Sequence, residues 1–257
     1  MGRSTFQQRR LCGRLLDHGQ MQISYEHCGE TQTSDLTRLS SGPLRCEHCD
    51  ELIMAVDVSA TAEWIESQVD RKRHLLETGQ LGTRKQSTQQ TDSDIDRDGL
   101  SAELAACAIL CPNAFVSWTR AAERSKGNRG RDLLRTWTGL NRPVEVKHTR
   151  YQDDHRGFLV IRPPRNTPGR MRAEYIDDAY YVLMTGEPFR HKLVGWIDRA
   201  GLLAEGQLNP VPVGHSQRES WGIHWSKLRP IDELARKIGQ GGLVGSFGRW
   251  FEDHFGG

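Results

Sequence analysis

Apolar residues recur at helical spacing in three parts of the chain, which predicts three helices. The first covers residues 58 to 78, with Gly79 placed to end it, and the second begins after Gly99, where Ser101 is a candidate amino-terminal cap. The third, over residues 229 to 239, has an amphipathic pattern. The first helix precedes a region of different character, the second begins it and the third follows it.

That region has short apolar or alternating runs, as β-strands do. In chain order, strands are predicted over residues 114 to 119, 132 to 139, 143 to 149, 157 to 162, 179 to 186 and 191 to 198. A helix followed by five or six strands indicates a mixed α+β or α/β domain.

Polar composition suggests where this domain begins and ends. Residues 79 to 98 contain almost no apolar side chains and are predicted to be a solvated linker. We therefore divide the chain into a Cys/His-rich module (1 to 54), a helix with polar linker (55 to 98), a core domain (99 to 229) and a carboxy-terminal helix with a Gly-rich tail (230 to 257).

The composition is that of a soluble globular protein. Of the 257 residues, 36% are hydrophobic and 26% charged, and a mean hydropathy of −0.64 indicates some exposed or flexible segments. The longest apolar runs, at 52 to 56 and 104 to 110, are too short to cross a bilayer, so no membrane span is expected. The amino terminus is Arg-rich without a secretory pattern, so we expect a cytoplasmic, intracellular location, with organelle targeting as the alternative.

Positive charge is concentrated in one segment. The net charge is +2, yet residues 120 to 150 hold nine Lys or Arg and three Asp or Glu, a local charge of +6 that leaves −4 elsewhere. A basic segment in an otherwise acidic chain suggests nucleic acid as a partner. A solvated Arg-rich surface is the alternative.

The amino-terminal cysteines suggest zinc. Residues 45 to 49 read RCEHC, a Cys-x-x-Cys knuckle in which Cys46 and Cys49 can bind one Zn²⁺. Cys12 and Cys28 could complete the site, and the candidate substitutes are His18, His27 and His48. Reduced or redox-active cysteines are the alternative. Two further cysteines four residues apart in the second helix, Cys107 and Cys111, are expected to be small buried residues.

The candidate chemistry centres on RPVEVKHTR (142 to 150). In a strand Glu145 and Lys147 share one face and Val146 lies on the other. Asp132 stands in the strand before, and Glu103 on the preceding helix, so hairpin pairing could bring the carboxylates together. Carboxylates and a backbone carbonyl suit Mg²⁺ or Mn²⁺. Alternatively, Asp132 caps a turn, and Glu145 and Lys147 form an exposed ion pair.

This order of residues resembles the PD-(D/E)XK nuclease superfamily over about residues 99 to 200. The resemblance implies a restriction-endonuclease-like core, a central mixed sheet flanked by helices, here with a zinc-ribbon-like amino-terminal module. It also implies that Asp132, Glu145 and the Val146 carbonyl bind the metal, that Lys147 positions the attacking water and that Glu103 assists. The motif's proline is replaced by Arg131.

We therefore expect a Mg²⁺- or Mn²⁺-dependent DNA endonuclease with a structural Zn²⁺ site. A non-catalytic zinc-containing DNA-binding or regulatory protein on the same fold is the alternative. No Gly-x-Ser-x-Gly motif indicates a serine hydrolase, and no Gly-Lys-Ser/Thr indicates a nucleotide cofactor. Cutting both DNA strands would favour a homodimer.

Overall fold

A computed structural model describes residues 22–35, 42–78, 92–124, 132–150, 157–162, 171–210 and 219–244. The described strands are β1 (Gln22–His27), β2 (Glu30–Asp35), β3 (Ala55–Asp57), β4 (Val144–Thr149), β5 (Phe158–Ile161), β6 (Tyr180–Glu187), β7 (Arg190–Asp198), β8 (Gln207–Leu208) and β9 (Trp221–His224). The described α-helices are α1 (Ala62–Glu77), α2 (Asp92–Leu110), α3 (Phe115–Arg124), α4 (Arg135–Thr138), α5 (Arg199–Glu205) and α6 (Ile231–Val244). Within these ranges no helix combines the length and the apolar character needed to traverse a membrane.

Two sheets form the framework of this α+β fold. The larger is mixed and has the order β2-β1-β3-β7-β6-β4, with β4 parallel to β6 and the other neighbours antiparallel. The smaller is antiparallel, with the order β5-β9-β8. Strand β4, which carries Glu145 and Lys147, therefore lies at one edge of the larger sheet.

Each face of the larger sheet packs against its own hydrophobic core. On β6, Val182 and Met184 belong to the core shared with α1, α2, α3 and α6. Tyr181 and Leu183, which alternate with them, belong to the core shared with the smaller sheet and α5. Strand β6 is thus buried on both faces, as its nearly continuous apolar sequence predicts.

The amino-terminal region is part of this sheet. Strands β1 and β2 come from the segment predicted as a separate module, and β3, which begins directly after its predicted boundary at residue 54, pairs with both β1 and β7. Ile23 and Leu52 lie in the same core as Val144. Residues 22–35 and 42–54 therefore share a sheet and a core with β4.

The linker prediction was wrong in its last part, because α2 begins at Asp92 and Ser101 lies inside it as a buried residue. Residues 79–91 are outside the described ranges. The polar start of α2 is held against α1 by ion pairs: Lys72 Nζ lies 2.9 Å from Asp96 Oδ1, and the Arg97 guanidinium pairs with Glu66. Cross-helix charge pairs thus replace the apolar face that identifies a helix in sequence.

The strand predicted over residues 114–119 was also wrong, since Ala114 ends a 3₁₀ turn and residues 115–119 lie in α3. Within α3 the buried residues Phe115, Trp118 and Thr119 follow the helical i, i+3, i+4 spacing. The short alternation in AFVSWT resembled a strand because six residues are too few to distinguish the helical repeat from the two-residue repeat of a strand.

The strand predicted over 132–139 is reduced to one antiparallel bridge between Leu133 and Val144, followed by α4. Gly139 ends α4 with a left-handed φ of 69°, the conformation that glycine adopts most readily. The predicted strands at β4, β5, β6 and β7 and the helix at α6 are confirmed, apart from their exact ends.

Candidate functional site

Glu145 and Lys147 lie side by side on β4. Val144 and Val146 point into the core beneath α2, so Glu145 and Lys147 project from the opposite face. Lys147 Nζ donates a hydrogen bond to Glu145 Oε1 over 2.6 Å. Their side chains are only 15% (Glu145) and 29% (Lys147) exposed, so the pair is largely buried and is not the exposed ion pair of the alternative interpretation.

Asp132 is fixed at the edge of β4 from two sides. Leu133 and Val144 exchange backbone hydrogen bonds of 3.0 and 2.9 Å, which align the chain beside the strand. The Asp132 carboxylate then accepts the N–H of Val146 at 2.5 Å, and its backbone carbonyl accepts the indole N–H of Trp118 at 2.8 Å. The buried Asp132 carboxylate is therefore oriented by the backbone of the strand that carries Glu145 and Lys147.

The Val146 carbonyl lies on the same edge. In a strand the N–H and C=O of one residue point to the same side, and this side is repeated two residues later. Val144 uses both groups on Leu133, and the N–H of Val146 is directed to Asp132. The carbonyl of Val146 consequently points away from β6, toward the edge where Asp132 lies.

Burial and charge raise the pKa of Asp132 well above its usual range. The largest cause is burial, followed by the neighbouring carboxylates of Glu103 and Glu145. Lys147 and the N–H of Val146 oppose the increase. The ionised carboxylate is therefore disfavoured by its burial and by repulsion from the two neighbouring acids.

The pKa of Lys147 is affected by the carboxylates of Glu145, Asp132 and Glu103. Its burial acts to lower the pKa, but Glu145, Asp132 and Glu103 together raise it above the ordinary lysine value. Glu103 lies on α2, which packs along β4, and acts on Asp132 and Lys147 through its charge. The structure thus brings the four predicted residues into one electrostatic group, which we call the carboxylate cluster: Glu103, Asp132, Glu145 and Lys147.

A second group of side chains has the geometry of a metal site. His27, Cys28, Cys46 and Cys49 are, among the described residues, the one group of three or more candidate ligands whose ligand atoms all lie within 4.8 Å of one another. We call them the Cys/His cluster. The acids of the carboxylate cluster do not form such a group, so their predicted Mg²⁺ or Mn²⁺ ligation stays a prediction.

Two tight turns build the Cys/His cluster. His27 ends β1, and Cys28 and Gly29 form the two-residue turn to β2 with positive φ angles of 54° and 78°. The Cys46–Cys49 knuckle supplies the other two ligands. The sequence also offered Cys12 and His18 as ligands, but both lie outside the described residues. His27, one of the predicted substitute ligands, belongs to the cluster.

The thiols of Cys46 and Cys28 differ in acidity. Donation from the backbone N–H of His48, with that of Cys49, lowers the pKa of Cys46 to about 6, although burial opposes this. Hydrogen bonds with the thiols of Cys49 and Cys46 raise the pKa of Cys28 to about 12. The knuckle backbone therefore stabilises a thiolate at Cys46.

A third polar group, which the sequence did not reveal, lies on the α2 side of β4. Asp98 accepts two hydrogen bonds from Arg150, of 2.6 and 2.9 Å, which joins α2 to the end of β4. Beside it, the imidazole of His191 lies 2.8 Å from the Ser101 hydroxyl and edge-on to His148. Little in the sequence indicated this group, because Asp98 lies in the segment predicted to be a linker.

Cys107 and Cys111, four residues apart on α2, are buried, as predicted.

Comparison of the chain with protein-family models, with curated proteins and with solved structures finds no match. The resemblance to PD-(D/E)XK nucleases accordingly stays a prediction from the sequence.

Proposed function

We propose that this protein is a metal-dependent DNA endonuclease that hydrolyses phosphodiester bonds at the carboxylate cluster. The proposal rests chiefly on one observation, the hydrogen bond from the N–H of Val146 to Asp132. It holds the buried carboxylate beside the strand that carries Glu145 and Lys147, in the chain order that resembles PD-(D/E)XK nucleases.

The donor set fits a hard divalent cation. Asp132, Glu145 and the Val146 carbonyl offer oxygen ligands, which Mg²⁺ and Mn²⁺ prefer. With Glu103, the cluster has three carboxylates and one ammonium group, so its fully ionised form carries an excess of two negative charges. A divalent cation would offset this excess and relieve the repulsion that, after burial, raises the pKa of Asp132.

When bound, the cation would polarise a phosphodiester oxygen and make a coordinated water more acidic. The residues of the chain have separate tasks. Val146 holds Asp132 in place through its N–H, and Lys147, whose ammonium group already donates to Glu145, positions the attacking water and offsets negative charge on the phosphate. Glu103 assists from α2.

The charge distribution supports a polyanionic substrate. The segment from Arg120 to Arg150, which contains most of the cluster, has a local charge of +6 in a chain whose remainder is −4. Within its described part, Arg120 and Arg135 are exposed and can contact phosphate groups. The substrate would therefore approach β4 along its basic surroundings.

The test is cleavage of linear, supercoiled and branched DNA by the purified protein with Mg²⁺ or Mn²⁺. Lys147→Ala is expected to slow cleavage at least about 100-fold, because it removes a positioned cationic donor. Lys192→Ala is the matched control: this exposed lysine lies on β7 of the same sheet, so its loss should leave the rate within about twofold. Equal cleavage by wild type and Lys147→Ala would contradict the proposal.

A second candidate, a non-catalytic DNA-binding or regulatory protein, is favoured by one observation. Glu145 is already engaged by Lys147 at 2.6 Å, an ion pair that can be purely structural. DNA binding by wild type and both variants with no cleavage of any substrate would support this candidate.

A further inference from the structure

The Cys/His cluster lies at the far side of the larger sheet from the carboxylate cluster. Strand β1, which ends at His27, is separated from β4 by β3, β7 and β6. At about 4.8 Å per strand, the two strands are roughly 19 Å apart. Whatever the Cys/His cluster binds takes no direct part in chemistry at Lys147.

We propose that His27, Cys28, Cys46 and Cys49 bind one Zn²⁺ in a closed structural site, with His27 as a ligand through Nδ1 and Glu51 fixing its imidazole from the other side. This inference is independent of the proposed nuclease activity.

Three of the distances between ligand atoms match the edges of a zinc tetrahedron. Zn–S bonds of about 2.3 Å and Zn–N bonds of about 2.0 to 2.1 Å give tetrahedral edges of about 3.8 Å between sulfurs and about 3.6 Å between sulfur and nitrogen. Cys28 Sγ lies 3.7 Å from Cys46 Sγ and 3.6 Å from Cys49 Sγ, and His27 Nδ1 lies 3.6 Å from Cys49 Sγ. The edge from His27 Nδ1 to Cys28 Sγ is shorter, at 3.2 Å.

The same distances exclude a disulfide in this arrangement. A disulfide brings two sulfurs to about 2.05 Å, whereas Cys28 keeps similar, longer distances to both Cys46 and Cys49. One thiol equidistant from two others is the arrangement of ligands around a shared ion. Three thiolates and one imidazole form a Cys₃His set, the softer type that selects zinc over Mg²⁺ or Ca²⁺.

Groups around the ligands complete the site. Glu51 Oε2 lies 3.4 Å from His27 Nε2, so the imidazole lies between the carboxylate and the thiols, as in the carboxylate-histidine-zinc arrangement. The knuckle is closed by hydrogen bonds between Asp50 N and Cys46 O and between Cys46 N and Glu51 O, both of 2.9 Å. Four protein ligands leave no open position for a substrate, which is typical of structural zinc.

The ion would join separate parts of the fold. It would tie the β1–β2 turn to the knuckle, and the knuckle is bonded onward, because the N–H of Leu44 donates to the carbonyl of Ile109 at the end of α2 over 2.7 Å. Leu44 and Leu52, which flank the knuckle, are buried in the core beneath α2. Zinc would thus stabilise the edge of the sheet farthest from β4.

The first test is the metal content of the full chain by mass spectrometry. We expect one zinc per chain, its loss in Cys49→Ser and its retention in Cys107→Ala, which removes a buried cysteine outside the cluster. In the Co²⁺-substituted protein, strong visible bands and a sulfur-to-cobalt charge-transfer band should report tetrahedral thiolate ligation. No zinc in the wild type and no uptake of added Zn²⁺ would overturn the proposal, as would another metal at full occupancy.

Loss of a ligand in Cys49→Ser can also unfold the chain, so a milder pair of variants tests the site in folded protein. Glu51→Gln should release zinc to a chelating dye about 10- to 100-fold faster, because the groups that hold a metal-bound histidine in place affect metal affinity by this factor. Glu47→Gln is the control, an exposed glutamate in the same knuckle that has no described contact with His27. Equal release rates for wild type and Glu51→Gln would overturn the role of Glu51.

Discussion

The N–H of Val146 donates a hydrogen bond to the carboxylate of Asp132, so that a strand's backbone orients the acid beside it. The bond needs an oxygen acceptor but no charge. Asp132→Asn can therefore keep the bond through its amide oxygen and remove the buried charge.

We expect Asp132→Asn to abolish metal-dependent cleavage, with a loss of at least about 100-fold, since a neutral amide is a poorer ligand for Mg²⁺. The variant should also unfold at a higher temperature than wild type in metal-free buffer, because Asp132 is buried near Glu103 and Glu145. Thermal unfolding and DNA cleavage measure the two effects. Full activity of Asp132→Asn would remove this residue from the proposed site.

The ion pair between Asp98 and Arg150 is expected to stabilise the fold. The Asp98 side chain is 5% exposed, so Arg150→Met removes a charged partner that donates two hydrogen bonds to a buried carboxylate. We expect a loss of about 1 to 3 kcal/mol in the free energy of unfolding, measured with urea. The exposed pair of Arg172 and Glu174 is the control, where Glu174→Gln should cost less than about 0.5 kcal/mol. Equal losses at the two pairs would contradict the importance of burial.

Stability should decrease in acid because of His191. Burial and the neighbouring His148 lower the pKa of His191 from 6.5 to about 3, although Asp57 opposes this. Below about pH 6.5 the unfolded chain binds a proton at this histidine more readily than the folded chain does. The free energy of unfolding therefore decreases as the pH falls from about 6.5 toward 3, by about 2 kcal/mol at pH 5.

His191→Gln should flatten this pH dependence while keeping a partner for Ser101. Part of the slope should remain, because burial also lowers the pKa of His148. Urea unfolding at pH 7 and pH 5 compares the slopes. An unchanged slope in the variant would show that other groups control the acid sensitivity.

The amino-terminal part of α2 should depend on its ion pairs with α1. Glu66→Gln weakens the contact with Arg97, and hydrogen exchange of the amides in residues 93 to 98 is expected to become about 5- to 10-fold faster, equivalent to about 1 to 1.4 kcal/mol. The buried part of the helix, residues 104 to 110, should exchange at the wild-type rate. Uniform acceleration along α2 would instead indicate that Glu66 affects global stability.

Elements with strong local patterns could be predicted from the sequence. Strands β4 to β7 were found because their apolar runs are bounded by polar or glycine residues, and the knuckle at Cys46 because its spacing is specific. The candidate acids were found by their order along the chain. The carboxylate cluster then forms because the bridge between Leu133 and Val144 replaces the predicted hairpin and still aligns Asp132 with β4.

Features that depend on distant partners could not be predicted. The start of α2 is stabilised by side chains on α1 that are more than 20 residues away, such as Lys72 for Asp96. Strand β3 has three residues and is defined by β7, since Ala55 pairs with Lys192. His27 was one of several possible ligands until the turn at Cys28 placed it beside the knuckle.

The pairing of β3 with β7 has a consequence for the order of folding during synthesis. Ala55 leaves the ribosome 137 residues before Lys192, its partner. At roughly 5 to 20 residues per second, that interval lasts roughly 7 to 30 s. The ligands His27 to Cys49 lie close together in sequence, so a metal ion could hold the β1–β2 hairpin to the knuckle during this interval. The bound ion would then protect the unpaired strands from association with other nascent chains.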